Sequence, residues 1–240
     1  MLLPHERASI VQSLPSEFPS ATPPEGDPHR IPKSKALEAL GEFFRRMKRR
    51  VYLSSELPVY YPEERVFAPD ILAVLDVEPG ERDRWVVSAE GRGLDFVLEV
   101  AVRGDTKKDL VSNVHRYARL GIPEYFAYEP LTPRLSGFRL ERPGTYAPIV
   151  PQGGRWASNV LGLELGIEAR RIRFFSGTAP LPEADELISS LSRMLDDIVQ
   201  REQRLIAELE EERVRAEEER VRAERLAEKL RKLGVDPDAD

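Results

Sequence analysis

The chain has 240 residues, 41% of them hydrophobic and 32% charged, with a formal net charge of -6; that is enough for one sizeable core and an added solvated segment. It has no cysteine, which excludes a disulfide framework and a thiolate metal site. The three histidines, His5, His29 and His115, are far apart in the chain, so a histidine metal centre is not expected and a hard, oxygen-liganded ion is the metal class left. The N-terminus lacks a charged start with a long apolar core, and no apolar run reaches membrane-spanning length. A cytoplasmic protein with no membrane partner is expected.

Residues 1–32 carry seven prolines among Ser, Glu and His, a composition that reads as a flexible lead unable to pack a core alone. From Ser34 to Val51 the positions Leu37, Leu40, Phe44, Met47 and Val51 recur at helical spacing, with Ser34 as cap. The end of that helix, Arg45-Arg46-Met47-Lys48-Arg49-Arg50, suits the negative pole of a helix and could also touch phosphates; a solvated helix end is the simpler reading. Val51 to Tyr60 alternates like a strand, with Pro58 pointing to an edge or an end. Glu56 in it is a candidate acidic ligand, or an ordinary surface residue.

Pro69-Asp70 opens the apolar run Ile71 to Val77. After a charged, Gly-rich excursion broken by Trp85-Val86-Val87, which looks hairpin-like, comes a second apolar run, Phe96 to Val102, carrying Glu99. Both runs are short and β-branched and read as central strands. A carboxylate in a strand apolar on both faces costs several kcal/mol unless it is paired or holds a cation. Two of them suggest a shared metal site at Asp70 and Glu99. Asp105 or Thr106 then caps a helix whose apolar face is Leu110, Val114, Tyr117 and Ala118, ended by Gly121. Glu124 to Tyr128 is the next strand, which makes a crossover and a parallel pair. Leu135 to Leu140, Tyr146 to Val150 and the tract Val160 to Phe175 read as further strands, with turns at Pro143-Gly144 and Gly153-Gly154.

The segments Pro69-Asp70, Leu98-Glu99-Val100 and Lys107-Lys108-Asp109-Leu110, with Tyr117-Ala118-Arg119-Leu120-Gly121-Ile122-Pro123-Glu124-Tyr125-Phe126, resemble the PD-(D/E)XK nuclease superfamily. Within it the likeness is to the restriction endonuclease family of the Uma-two type, over roughly residues 30–180. The resemblance implies an α/β fold, a restriction-endonuclease-like mixed β-sheet flanked by helices. It also implies a Mg²⁺ (or Mn²⁺) phosphodiesterase site, expected at Asp70, Glu99 and the backbone carbonyl of Val100, acting on nucleic acid, with DNA as the first choice. The superfamily lysine two residues after the Glu is here Ala101, and the alternative place on the following helix is Asn113. Lys107, on the sheet side of that helix at 100° per residue, is the candidate for the role.

From Pro182 the character changes. Leu191, Leu195, Ile198, Leu205, Leu209, Ala216, Ala223, Leu226, Leu230 and Leu233 fit the a and d positions of one heptad frame, interrupted by Glu202, Glu212 and Glu219. Residues 182–240 hold 11 Lys+Arg and 18 Asp+Glu, a net -7 that leaves the body nearly neutral. An acidic extension repels phosphates, so pairing with a second copy or a partner helix is its better use. The domains expected are thus a flexible lead over 1–32, a nuclease domain over 33–181, a heptad helix or coiled coil over 182–235, and a tail over 236–240. Three functions stay open: a metal-dependent endonuclease, a nuclease fold without turnover that serves as a binding or assembly module, and a structural reading in which Asp70 caps a turn and Glu99 pairs with a core cation.

Overall fold

The computed structural model describes residues 3–14, 26–101 and 108–232. The chain divides into two compact units, residues 1–184 and 185–240.

In the first unit a ten-residue helix, α1 (Pro4–Ser13), precedes α2 (Asp27–Arg46). Both lie partly or wholly inside the expected flexible lead, and α2 begins at Asp27 instead of after Ser34. Composition misled here because proline is not a helix breaker in a first turn: Pro28 sits at a position whose N–H would have no intrahelical acceptor anyway. Pro32 falls deeper inside α2 and costs it one backbone bond. The buried face of α2 is Lys33, Ala36, Ala39, Leu40 and Phe44.

The main sheet has six strands: β1 (Val51–Ser54), β3 (Ile71–Leu75), β5 (Phe96–Val100), β6 (Glu124–Glu129), β7 (Arg134–Arg142) and β8 (Thr145–Pro148), in the order β1-β3-β5-β6-β7-β8. Only β5 and β6 run parallel among its pairs. That parallel pair is the crossover expected from the sequence, and the connecting segment carries a π-helical turn (Lys108–Asn113) leading into α4 (Val114–Arg119). Every residue of β3 and β5 is buried, which is why both read as apolar runs, with Glu99 the one exception in β5. The two strands pair antiparallel with Ile71 opposite Leu98, so the strands leading out of Asp70 and into Glu99 are adjacent in one sheet.

Two stretches differ from their sequence reading. Val51 to Tyr60 is two strands, because the ladder stops at Ser54 and the chain turns at Glu56, whose φ is positive; β2 (Val59–Tyr60) leaves the main sheet and pairs parallel with β4 (Trp85–Val86). The expected hairpin around Trp85 is instead this β4 followed by a helical turn, α3 (Val87–Glu90). The tract Val160 to Phe175 is likewise a hairpin, β10 (Leu163–Glu168) and β11 (Arg171–Ser176), turning at Ala169 and Arg170, both with positive φ. With β9 (Arg155–Ser158) and β12 (Ala179–Pro180) it forms a second sheet, ordered β12-β11-β10-β9.

One core cluster joins α2 to the β3–β5–β6 region and the second sheet through Leu40, Phe44, Phe96, Leu98, Phe126, Leu165 and Phe174. The other lies on the opposite face under α4, with Leu72, Val97, Tyr117, Ile122 and Tyr125. The second unit consists of α5 (Ala184–Lys232), whose 49 residues begin at the end of the first. No described helix is long and apolar enough to cross a membrane.

Candidate active site

The β3–β5 ladder runs out at Ile71 and Leu98, leaving the next backbone groups without strand partners. The two acids supply them crosswise. The Asp70 N–H donates to Glu99 Oε2 at 3.1 Å, and the Val100 N–H donates to Asp70 Oδ2 at 2.7 Å. Such bonds satisfy buried donors and fix both carboxylates at one end of the strand pair. Asp70 Oδ1 accepts no hydrogen bond from the described residues, and Lys33 Nζ lies 3.9 Å from it.

From α4, the Tyr117 hydroxyl donates to Glu99 Oε1 at 2.5 Å. Burial first, and then the charge of Glu99, push the Tyr117 phenol well above its ordinary value, so the group stays protonated and remains a donor. Its ring is fixed between Phe67 and Tyr125, with centroids at 5.7 and 5.0 Å. Asn113 lies one turn before Tyr117 and is buried. The place of the second expected lysine is therefore inside the protein, and an amide occupies it.

The third wall comes from α2. His29 and Lys33 are one turn apart and so share a face. His29 Nε2 lies 3.0 Å from Asp70 Oδ2, while Lys33 forms an ion pair with Glu56. Glu56 follows β1 and is held by a backbone bond from its N–H to Pro69 O, with a positive φ of 54° that non-glycine residues seldom adopt. His29, Glu56 and Asp70 offer ligand atoms within 4.8 Å of one another. Separation in sequence does not keep His29 from the acids: it stands 41 positions from Asp70 in the chain and 3.0 Å from it in the fold.

Of the residues marked in the sequence, Asp70, Glu99 and Val100 meet at the strand ends, and Glu56 joins Asp70 through Lys33. Lys107 and its helix cap at Asp105 or Thr106 lie outside the described residues, as does the tail 236–240. Lys33 and His29 were missed. The signal for Lys33 was present, because it falls in register with Leu37, Leu40 and Phe44 on the buried stripe, where a lysine needs a partner. The basic cluster at the end of α2 has ordinary partners: Arg45 and Arg46 bind Glu42, Arg49 binds Asp76, and Arg50 binds Glu78. Arg45 and then Arg46 hold the Glu42 carboxyl below its usual range. A cluster so engaged is a solvated helix end more than a phosphate rail.

The family model "Uma2: Putative restriction endonuclease" matches residues 13–172, which include α2, both acid-bearing strands and α4. The chain belongs to the Uma2 family. A solved structure from Anabaena variabilis, that of a "putative nuclease", is similar to the Uma2 chain at a TM-score of 0.46 and 13% identity, covering 58% of this chain and 76% of that one. No curated protein matches. The Uma2 span begins ahead of α2, so His29 and Lys33 are part of the family region and not of an appended lead.

Proposed function

We propose that the chain is a divalent-cation-dependent endonuclease that hydrolyses phosphodiester bonds, with DNA as its substrate, and that Asp70 and Glu99 hold the cation. The observation that supports this best is the crosswise pairing of Asp70 and Glu99 with each other's backbone, which holds two carboxylates at one strand end while leaving Asp70 Oδ1 open. The donor set fits a hard ion. In an extended strand the N–H and C=O of one residue share an edge, so the Val100 carbonyl faces the Asp70 side as its N–H does. An imidazole at His29 and a third carboxylate at Glu56 beside Asp70 favour Mn²⁺ somewhat more than Mg²⁺.

When bound, such a cation neutralises charge on the phosphate and acidifies a nearby water. The protein's part is to hold geometry. Tyr117 and the Asp70 N–H fix both oxygens of Glu99, and Val100 and His29 fix Oδ2 of Asp70. In the hydrolysis, the water oxygen forms a new bond to phosphorus and the ester P–O bond breaks. The water gives up a proton, and the departing oxygen takes one from solvent. Calorimetric titration with Mn²⁺ tests the site directly: binding is expected in the wild type and is expected to be lost in both Asp70→Asn and Glu99→Gln. Retained binding in both variants would move the ion elsewhere.

A second reading, a nuclease fold without turnover that assembles through α5, draws on the neutral Ala101 and Asn113. Along α5, Ile188, Leu191, Leu195, Ile198, Leu205 and Leu209 are all exposed, and burying each such side chain is worth about 1.5–3 kcal/mol. We assign this stripe to a second copy of the chain. The tandem Glu212-Arg213-Val214-Arg215-Ala216-Glu217 and Glu219-Arg220-Val221-Arg222-Ala223-Glu224 carries both signs in balance, which suits self-pairing. Analytical ultracentrifugation should give a dimer mass for the wild type and a monomer mass for Leu195→Lys with Leu205→Lys. A monomeric wild type at high concentration would exclude the second copy.

A further inference from the structure

The acid pair lies beside two neutral residues at the positions where the superfamily resemblance places its lysine: Ala101 directly follows β5 and Asn113 is buried one turn before Tyr117. The fold brings a cation to the same carboxylates from another direction. We infer that Lys33 of α2 supplies the ammonium that Ala101 and Asn113 lack, contacting a non-bridging oxygen of the scissile phosphate beside Asp70. This rests on the nuclease reading above.

Three features carry the inference. Lys33 is 4% exposed, and a lysine buried so fully is retained only where opposite charge surrounds it. Its surroundings are the site itself: Asp70 Oδ1 lies 3.9 Å from Nζ, and the ion pair with Glu56 holds the stem in place. Second, α2 is locked to the site independently of Lys33, because His29 one turn earlier pairs with Asp70 at 3.0 Å. The helix face that bears Lys33 is therefore part of the wall around Asp70. Third, Glu99 is reached from α4 by a neutral phenol and Asn113 is an amide, so neither described side chain there brings positive charge. Among the described residues, a phosphate approaching Asp70 meets the Lys33 ammonium from α2.

The bland alternative is that Lys33 merely offsets the charge of Glu56 and Asp70. The two roles separate on relocation of the charge. If Lys33 contacts the phosphate, then a lysine placed at position 113, on the α4 side of the same acids, can substitute for it; if Lys33 only balances Glu56, a lysine at 113 cannot.

The experiment uses the full chain, a supercoiled plasmid with Mn²⁺ as the cleavage probe, and Mn²⁺ calorimetry as a readout independent of turnover. Lys33→Met is expected to lower kcat by about 10²-fold or more while Mn²⁺ affinity stays equal to the wild type or rises, since a competing cation is gone. Lys33→Met with Asn113→Lys is expected to recover at least about tenfold of that loss. Wild-type kcat in Lys33→Met overturns the inference and leaves the nuclease reading standing. Loss of Mn²⁺ binding together with cleavage, with no recovery in the double variant, also overturns it, by showing that Lys33 only shapes the site. A wild type that binds Mn²⁺ and cuts nothing overturns both readings. If Lys33→Met does not fold, Lys33→Arg carries the same test: it keeps the charge and the Glu56 partner but displaces the donor atoms. A kcat lowered by about tenfold or more at unchanged Mn²⁺ affinity supports the inference, and an unchanged kcat overturns it.

Discussion

Glu99→Gln is expected to lower plasmid cleavage by about 10³-fold or more while leaving the thermal midpoint within a few degrees of wild type. The two halves of this expectation follow from the same hydrogen bonds. Glu99 Oε2 accepts from the Asp70 N–H and Oε1 accepts from the Tyr117 hydroxyl. A glutamine keeps both contacts: its carbonyl oxygen faces the backbone N–H, which can only donate, and its amide nitrogen faces the phenol, whose oxygen can accept. The backbone N–H stays paired, and only the phenol hydrogen must turn away from its former acceptor, a cost of about 1–2 kcal/mol. What disappears is the negative charge, which is what a divalent ion requires. Tyr117→Phe is the complementary variant, since it leaves the charge and removes one fixing bond. Its cleavage should fall by about tenfold to a hundredfold, with Mn²⁺ affinity largely kept. Steady-state cleavage on folded variants decides the matter. Equal activity in wild type and Glu99→Gln would mean that the acid pair is only a strand-end cap.

That alternative is the one that remains hardest to see in the sequence. Ile71–Leu75 and Phe96–Val100 were legible because central strands buried on both faces must be apolar throughout, and a carboxylate at the edge of each then stands out. The sequence could not show that the two acids bond to each other's backbone, because this depends on where the ladder stops. His29 and Lys33 were obscured for a different reason. Seven prolines over residues 1–32 mimic a disordered lead, yet Pro28 lies where a helix tolerates it, and α2 reaches back to Asp27. The hairpin at Ala169 and Arg170 was merged into one strand since neither residue is the Gly or Asn that positive φ usually selects. Contacts between α2 and the Asp70 strand are long-range, and helical periodicity reports only which face is buried, not what it is buried against.

The Arg119-Leu120-Gly121-Ile122-Pro123-Glu124-Tyr125-Phe126 string raises the question of whether its acid belongs to the site. The structure gives Glu124 a different task. It begins β6 and is 1% exposed, and it draws together three parts of the first unit. Arg139 Nε of β7 donates to Oε1 at 2.9 Å, the Ser158 hydroxyl of β9 donates to Oε2 at 2.5 Å, and the Asn159 N–H donates to Oε1 at 2.9 Å. One carboxylate therefore couples the six-stranded sheet to the edge of the second sheet.

Glu124→Ala is accordingly expected to be the most destabilising of these substitutions, by about 3–5 kcal/mol. It leaves a guanidinium, a hydroxyl and the backbone N–H groups of Asn159 and Val160 facing a void that none of them can fill. At a size of 150–250 residues, 1 kcal/mol corresponds to roughly 2–4 °C, so the midpoint should fall by about 10 °C. Glu124→Gln should cost about half as much. Its carbonyl oxygen can serve Arg139 and Asn159, and its amide nitrogen then faces Ser158, whose hydroxyl must turn away to accept. Ser158 Oγ already accepts from the Leu161 N–H at 3.1 Å, so that turn uses its remaining lone pair and weakens the corner. Glu42→Ala is the control, because Glu42 makes ion pairs with Arg45 and Arg46 out in solvent and its removal should leave the midpoint nearly where it was. Thermal unfolding followed by circular dichroism ranks the three. A Glu124→Ala midpoint as high as that of Glu42→Ala would show that the two sheets hold together without this carboxylate.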